Sequence, residues 1–280
     1  MQIISDIQQI RHLCQMWRDK GESIAFVPTM GCLHAGHLSL VKKAETLADH
    51  VVVSIFVNPL QFNDADDLLK YPNTLDNDIK ALTALTVDAI FTPDRASFYP
   101  EGKDQVEQLD LGEITTILEG EKRPGHFAGV ATVVKRLFEL VQPDFAIFGE
   151  KDFQQLMVVK QLVKQFSLNI EIVAMPTLRE QDGLAMSSRN LRLSADERAK
   201  AGLIYENLTS IKAALNKGNM NFAELEQGAS EKLVSAGFVP DYVVIRNSSQ
   251  LLPPQSHSEA MVILIAAKLG ETRLIDNIRV

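Results

Sequence analysis

The chain has 280 residues, more than one hydrophobic core usually organises, and its 46% hydrophobic and 23% charged residues exclude a disordered or collagen-like polymer. Asp and Glu outnumber Lys and Arg by 36 to 28, a net charge of −8 with no long basic run, so no nucleic-acid partner is expected. Two cysteines are too few for a disulfide framework, the N-terminus lacks a signal-peptide pattern, and no apolar run approaches the ~18 residues of a membrane span; a cytoplasmic protein without membrane attachment is expected.

In chain order, short apolar runs alternate with amphipathic stretches, the pattern of βαβ units feeding a parallel sheet. Strands are predicted at residues 24–27, 51–57, 87–91 and 145–148, with 170–174 closing the sheet. Helical periodicity between them, at residues 38–48 and 130–141, predicts crossover helices. After Pro176 a polar segment leads through Gly183 to Met186-Ser187-Ser188-Arg189-Asn190, and the boundary between two domains, 1–176 and 177–280, is placed there. Ser194-Ala195-Asp196-Glu197 is a capping-box start for a helix running towards Asn216, and a second helix covers residues 222–235. Strands at 242–245 and 261–265 complete the region. The expected fold is α/β, a Rossmann-like parallel-sheet domain followed by a smaller C-terminal α+β domain.

The segment with most chemistry is Pro28-Thr29-Met30-Gly31-Cys32-Leu33-His34-Ala35-Gly36-His37, where an apolar run ends and a helix opens. In an open parallel sheet, ligands bind beyond the carboxyl ends of strands, and a helix N-terminus there offers N–H groups to an anion. His34 and His37, three residues apart at that helix start, face the same ligand and add imidazole donors. Gly31 and Gly36 have P-loop spacing, but His37-Leu38 stands where Lys-Ser/Thr is required, and no G-x-G-x-x-G is present. Two histidines without further ligands do not make a zinc site.

Pro28-Thr29-Met30-Gly31 with His34-Ala35-Gly36-His37 resembles the nucleotide-binding signature of the nucleotidylyltransferase superfamily. Within it the chain resembles the pantothenate synthetase (pantoate–β-alanine ligase) family. The resemblance continues through residues 54–62, Tyr71-Pro72-Asn73-Thr74, Glu119-Gly120, Arg123-Pro124-Gly125-His126-Phe127, residues 148–156 and Met186-Ser187-Ser188-Arg189-Asn190, nearly the whole chain. It implies ATP-dependent condensation of (R)-pantoate with β-alanine through a pantoyl-adenylate, giving pantothenate, AMP and diphosphate.

Carried over residue by residue, the resemblance implies an ATP site formed by Met30, Gly31, Cys32, Leu33, His34, Ala35, Gly36 and His37. Gly149, Glu150, Lys151 and Asp152, Leu178, and Met186, Ser187, Ser188 and Arg189 complete it. His37, His34 and Lys151 are the implied catalytic residues. His37 has the proton-donor role, Lys151 supplies the cation that the missing P-loop lysine does not, and Leu178 meets the adenine through its backbone. Gln61 and Gln155 are the implied pantoate ligands, and Gln61 also serves β-alanine. Neutral amides suit this task, because a tight cationic partner would blunt the carboxylate as a nucleophile. Val130, Val133, Val134 and Leu137 form a helix face that packs either on pantoate's methyl groups or on the core. Mg²⁺ is expected with ATP, its ligands unspecified; Asp76, Asn77 and Asp78 are a weak candidate group.

A homodimer is implied, and the smaller domain is expected to close over the intermediate as a lid. A nucleotidyltransferase, an RNA-linked adenylating protein and a non-catalytic nucleotide sensor are the alternatives. The net charge of −8 counts against the second.

Overall fold

The computed structural model describes residues 1–62, 68–69, 71–72, 74–102, 106, 109–256 and 258–280. The chain divides into two compact units, one of residues 1–149 and 155–175, the other of residues 150–154 and 176–280. The short stretch 150–154, which the sequence pattern leaves with the first domain, therefore clusters with the second unit.

The first unit is built on a six-stranded parallel sheet. Its strands are β1 (Gln2–Ile4), β2 (Ile24–Thr29), β3 (His50–Ile55), β4 (Ala89–Phe91), β5 (Phe145–Gly149) and β6 (Glu171–Met175), in the spatial order β1-β4-β3-β2-β5-β6. All five predicted strands are present and β6 lies at an edge, as expected. Strand β1 is too short, with only Ile4 buried, to leave a readable pattern. Counting helices of seven residues or more, the unit contains α1 (Ile7–Asp19), α2 (Ala35–Ala44), α3 (Leu75–Thr83), α4 (His126–Val141) and most of α5 (Phe153–Gln165).

Alternation along the strands sorts the helices into two layers. Ala25 and Val27 of β2 pack with Val41 and Ala44 of α2 and Leu82 of α3. Phe26 points the other way, into a core shared with α1, α4 and α5. Burial on both faces is why these strands read as near-continuous apolar runs. Val130, Val133, Val134 and Leu137 of α4 all belong to that second core. So does Cys14, whose thiol burial pushes up to about 12.

The second unit carries an antiparallel sheet of β7 (Phe238–Asn247), β8 (Met261–Leu269) and β9 (Thr272–Arg279), with β8 central. Its helices are α6 (Ala195–Ala201), α7 (Leu203–Asn216) and α8 (Phe222–Ser235). The capping box opens α6 as predicted: the Glu197 N–H donates to the Ser194 hydroxyl oxygen and the Glu197 carboxylate accepts from the Ser194 N–H. The single helix expected from there towards Asn216 is instead two, broken at Gly202. A Cβ on Gly202 would stand 3.0 Å from the Asp182 carbonyl oxygen, so the break admits a close approach of the segment before it. Among the described residues no helix is long and apolar enough to cross a membrane.

Candidate active site

Strand β2 pairs with β3 on one side and β5 on the other, so the direction of strand addition reverses between β2 and β5. Loops leaving the carboxyl ends of strands at such a switch point diverge, which is where open α/β sheets take ligands. The segment Met30 to His37 follows β2, and Gly149 ends β5.

The backbone of that segment is held tightly. Gly31 has φ +81°, and a Cβ there would stand 3.0 Å from Asp78 Oδ2 and 3.1 Å from Ile55 Cγ2, so only glycine fits. Cys32 is also held in the left-handed region, at φ +53°. The fastener is Asp78 of α3, which is 3% exposed. Its carboxylate accepts from the N–H groups of Cys32 at 2.9 Å and Leu33 at 2.7 Å and from the Thr74 hydroxyl at 3.0 Å. The Gly31 N–H donates to Thr29 Oγ1 at 3.2 Å. The N–H groups expected to meet an anion are those of the helix N-terminus; the amides of Cys32 and Leu33, which precede it, are bonded to Asp78. The loop carries its own anion, and Asp78 is a structural acceptor rather than one of a row of surface carboxylates.

Both histidines use a ring nitrogen, Nδ1, to cap backbone N–H groups at the start of α2. His34 is the N-cap of α2, with the Gly36 N–H donating to its Nδ1 at 3.2 Å. The His34 N–H donates in turn to Nδ1 of His37 at 3.3 Å, a reciprocal cap made by imidazoles. A ring nitrogen that accepts carries no proton, so each ring in this arrangement is the neutral tautomer protonated on Nε2. The ring centroids lie 4.1 Å apart. Capping therefore fixes both tautomers and holds the two rings side by side.

Gln61 ends a 3-10 turn, Pro59–Gln61, beyond β3 and is buried. Its side-chain carbonyl accepts from Asn58 Nδ2 at 3.2 Å, and its amide nitrogen lies against the Met30 sulfur, which brings an expected pantoate ligand to an expected ATP ligand. The backbone carbonyl of Gln61 accepts from His126 Nδ1 at 2.7 Å and from Arg123 Nη2 at 3.3 Å. Since that carbonyl can only accept, His126 is protonated on Nδ1 and takes the Arg123 guanidinium on Nε2 at 3.1 Å. Asn58, 1% exposed, also donates to the Gly129 carbonyl at 3.1 Å and accepts from the Tyr99 hydroxyl at 3.0 Å. Burial raises the Tyr99 phenol above its ordinary value, keeping it a donor. Gln155, the other expected pantoate ligand, is half-buried on the first turn of α5.

The remaining expected residues lie in the second unit. Leu178 and Met186 face each other across a tight hairpin, where the Met186 N–H donates to the Leu178 carbonyl at 3.0 Å. Gly183 turns the hairpin at φ +87°, and a Cβ there would stand 2.1 Å from the Tyr205 ring. Ser187 caps the following 3-10 turn, its hydroxyl oxygen accepting from the Arg189 N–H at 3.3 Å, and Ser188 begins that turn. Glu150, Lys151 and Asp152 form another 3-10 turn, with Lys151 Nζ 3.9 Å from Asp152 Oδ2.

Asp78, Asn58, His126 and Arg123 all support the site, and sequence reasoning assigns none of them that task. Only Asn58 carries a local signal, since Asn-Pro opens a turn. Asp76 and Asn77 are exposed. Among the described residues no group of three or more His, Cys, Asp or Glu side chains is arranged to hold a metal ion.

A family model described as pantoate-beta-alanine ligase matches residues 2–279. The chain is 49% identical over 278 residues to the pantothenate synthetase of Aliivibrio fischeri, covering 99% of this chain and 96% of that one. Among solved structures it is similar to pantothenate synthetase from Thermus thermophilus, with a TM-score of 0.91 and 42% identity over 99% of both chains. It is also similar to the pantoate-beta-alanine ligase of Francisella tularensis in complex with beta-gamma ATP and β-alanine, with a TM-score of 0.84 and 39% identity over 100% of this chain and 97% of that one. The fold and its relatives agree from end to end, and the chain belongs to the pantoate-beta-alanine ligase family, a family of enzymes that are ligases.

Proposed function

We propose that the chain joins pantoate to β-alanine at the expense of ATP, in two steps through a pantoyl-adenylate. In the first, a pantoate carboxylate oxygen bonds to the α-phosphorus while the bond to the diphosphate oxygen breaks. In the second, the β-alanine amine attacks the acyl carbon and AMP leaves. The observation that carries the reading is the pair of imidazoles at the head of α2, each with Nδ1 taken up by a backbone N–H so that Nε2 is the nitrogen left to donate a proton. Two oriented neutral donors at a strand's carboxyl end suit charge that grows on phosphoryl oxygens without demanding reorganisation. Because Asp78 already holds the amides of Cys32 and Leu33, the reading gives the phosphate contact to His34 and His37 rather than to those amides.

Lys151 supplies the phosphate-directed cation, Gly149, Glu150 and Asp152 flank it in the chain, Ser187, Ser188 and Arg189 serve the outer phosphates, and Leu178 and Met186 serve the base side. Gln61 and Gln155 hold pantoate as neutral amides, with Gln61 also on the path of β-alanine. Among the described residues no group of side chains is arranged as a cage for Mg²⁺, and Asp78 is committed to three donors. The ion enters only as a companion of the triphosphate, and no step is routed through it. The reading carries with it a cytoplasmic homodimer.

Exchange of labelled diphosphate into ATP tests the two-step course. Exchange that requires pantoate but not β-alanine is expected, and His37→Ala should lower it by at least ~10²-fold. Exchange that appears only once β-alanine is added would overturn the adenylate.

A further inference from the structure

We infer that Asn277 is a positioning residue for Lys151: from β9 it fixes the backbone on which that lysine stands. The side-chain nitrogen of Asn277 donates to the carbonyl of Glu150 at 2.9 Å and to that of Lys151 at 2.9 Å, across a sequence separation of 126 residues for the latter. Both protons of one amide are thereby spent on two consecutive carbonyls, which fixes the direction of the turn and not merely its location.

Asn277 is 5% exposed and is itself locked. Its N–H donates to Asp276 Oδ1 at 2.7 Å, and its carbonyl accepts from Arg179 Nη2 at 3.1 Å. Arg179 grips the Asp276 carboxylate with both terminal nitrogens, at 2.5 and 3.0 Å, while its guanidinium lies 4.0 Å from the centre of the Tyr205 ring. Arg279, two residues on, adds a second tie to the same turn. Its Nε and Nη2 reach Glu150 Oε1 at 2.8 and 2.7 Å, and its guanidinium lies over Phe153 at 4.9 Å. Residues 150–154 thus belong to the second unit because β9 holds them there.

A flexible four-carbon side chain delivers its charge reproducibly only from a fixed root. The carbonyls of Glu150 and Lys151 have no covalent reason to stay put. The Asn277 amide supplies one.

The inference rests on Lys151 being the phosphate-directed cation, so the test carries Lys151→Ala as its own arm. In the full chain, kcat and KM for ATP are measured by pantoate-dependent diphosphate exchange for the unaltered enzyme, Asn277→Ser, Lys151→Ala and the double variant. Serine keeps one donor and loses the other. Asn277→Ser is expected to lower kcat about tenfold or more, the scale of a misplaced catalytic group. In the Lys151→Ala background the same substitution should change kcat less than about twofold, because its target is gone. Equal effects in the two backgrounds, or unchanged kcat and KM in Asn277→Ser, would overturn the inference while leaving the role of Lys151 intact. Unimpaired exchange in Lys151→Ala would instead remove the role of Lys151, and the inference with it. Should Asn277→Ser fail to fold, Asn277→Asp fills the same space without the donors and enters the same cycle. Full activity there would reduce Asn277 to a space-filling residue and sink the proposal.

Discussion

Asp78 meets three donors with two oxygens, and an amide in its place would turn N–H towards N–H. Asp78→Asn is therefore expected to strand a buried donor and lower stability by about 1–3 kcal/mol, read as a shift of the urea midpoint at unchanged slope. Exchange activity should fall as well, since the backbone of Cys32 and Leu33 leads directly into His34. An unmoved midpoint would mean that those amides find another acceptor. The histidines themselves were legible, because both the helix start and their three-residue spacing are local. Their anchor was not: Asp78 lies 46 residues from Cys32, and beside Asp76 and Asn77 it looks like one more solvated carboxylate. Which member of such a row turns inward depends on how α3 is rotated against the sheet, and that is settled by packing around Leu82 and not by any local pattern. The His126 tie to Gln61 is hidden for the same reason, at a separation of 65 residues.

At the scale of elements, the parallel strands were readable because burial on both faces makes them continuous apolar runs. Strand β9 was not, because Arg273, Asp276, Asn277 and Arg279 interrupt its apolar residues, and those four are the ones that bind other parts of the second unit. The break at Gly202 is not legible in the sequence, because helical propensity runs on through Leu203 and Ile204 while its cause, the Asp182 carbonyl, comes from an earlier segment. Backbone-to-backbone packing is equally invisible in a sequence, and it decides where Gln61 stands. The 3-10 turn Pro59–Gln61 rests on α4 at Gly129, where a Cβ would lie 2.3 Å from the Leu60 carbonyl oxygen and 3.0 Å from the Gln61 nitrogen. Neither partner is a side chain that can swing aside, so Gly129→Ala must push the turn off the helix. The expected result is a loss of about 1–3 kcal/mol of stability, the usual scale of overpacking. KM for pantoate should rise with little change in KM for ATP. A rise confined to ATP would mean that the turn does not position the acid substrate.

For the whole molecule, the question is whether two cores in one chain unfold as one. The first unit's buried clusters and the second unit's share no residue, and the chain passes between the units after Gly149, Gln154 and Met175. Separate cores without common members do not by themselves produce a single all-or-none transition. The sequence supplies a built-in reporter, since its single tryptophan, Trp17, is 7% exposed in α1 and stacks on His50 at 4.1 Å, both within the first unit. Tryptophan fluorescence in urea therefore follows the first unit alone, whereas far-UV circular dichroism follows the helices and strands of both. The second unit is the smaller, and since the fraction of surface buried on folding rises with size, it should yield first. Circular dichroism is expected to begin falling at lower urea than Trp17 emission, and the slope from Trp17 should match the surface exposed by the first unit rather than by the full chain. Superimposable curves with a slope proper to the full chain would show instead that the two units unfold cooperatively.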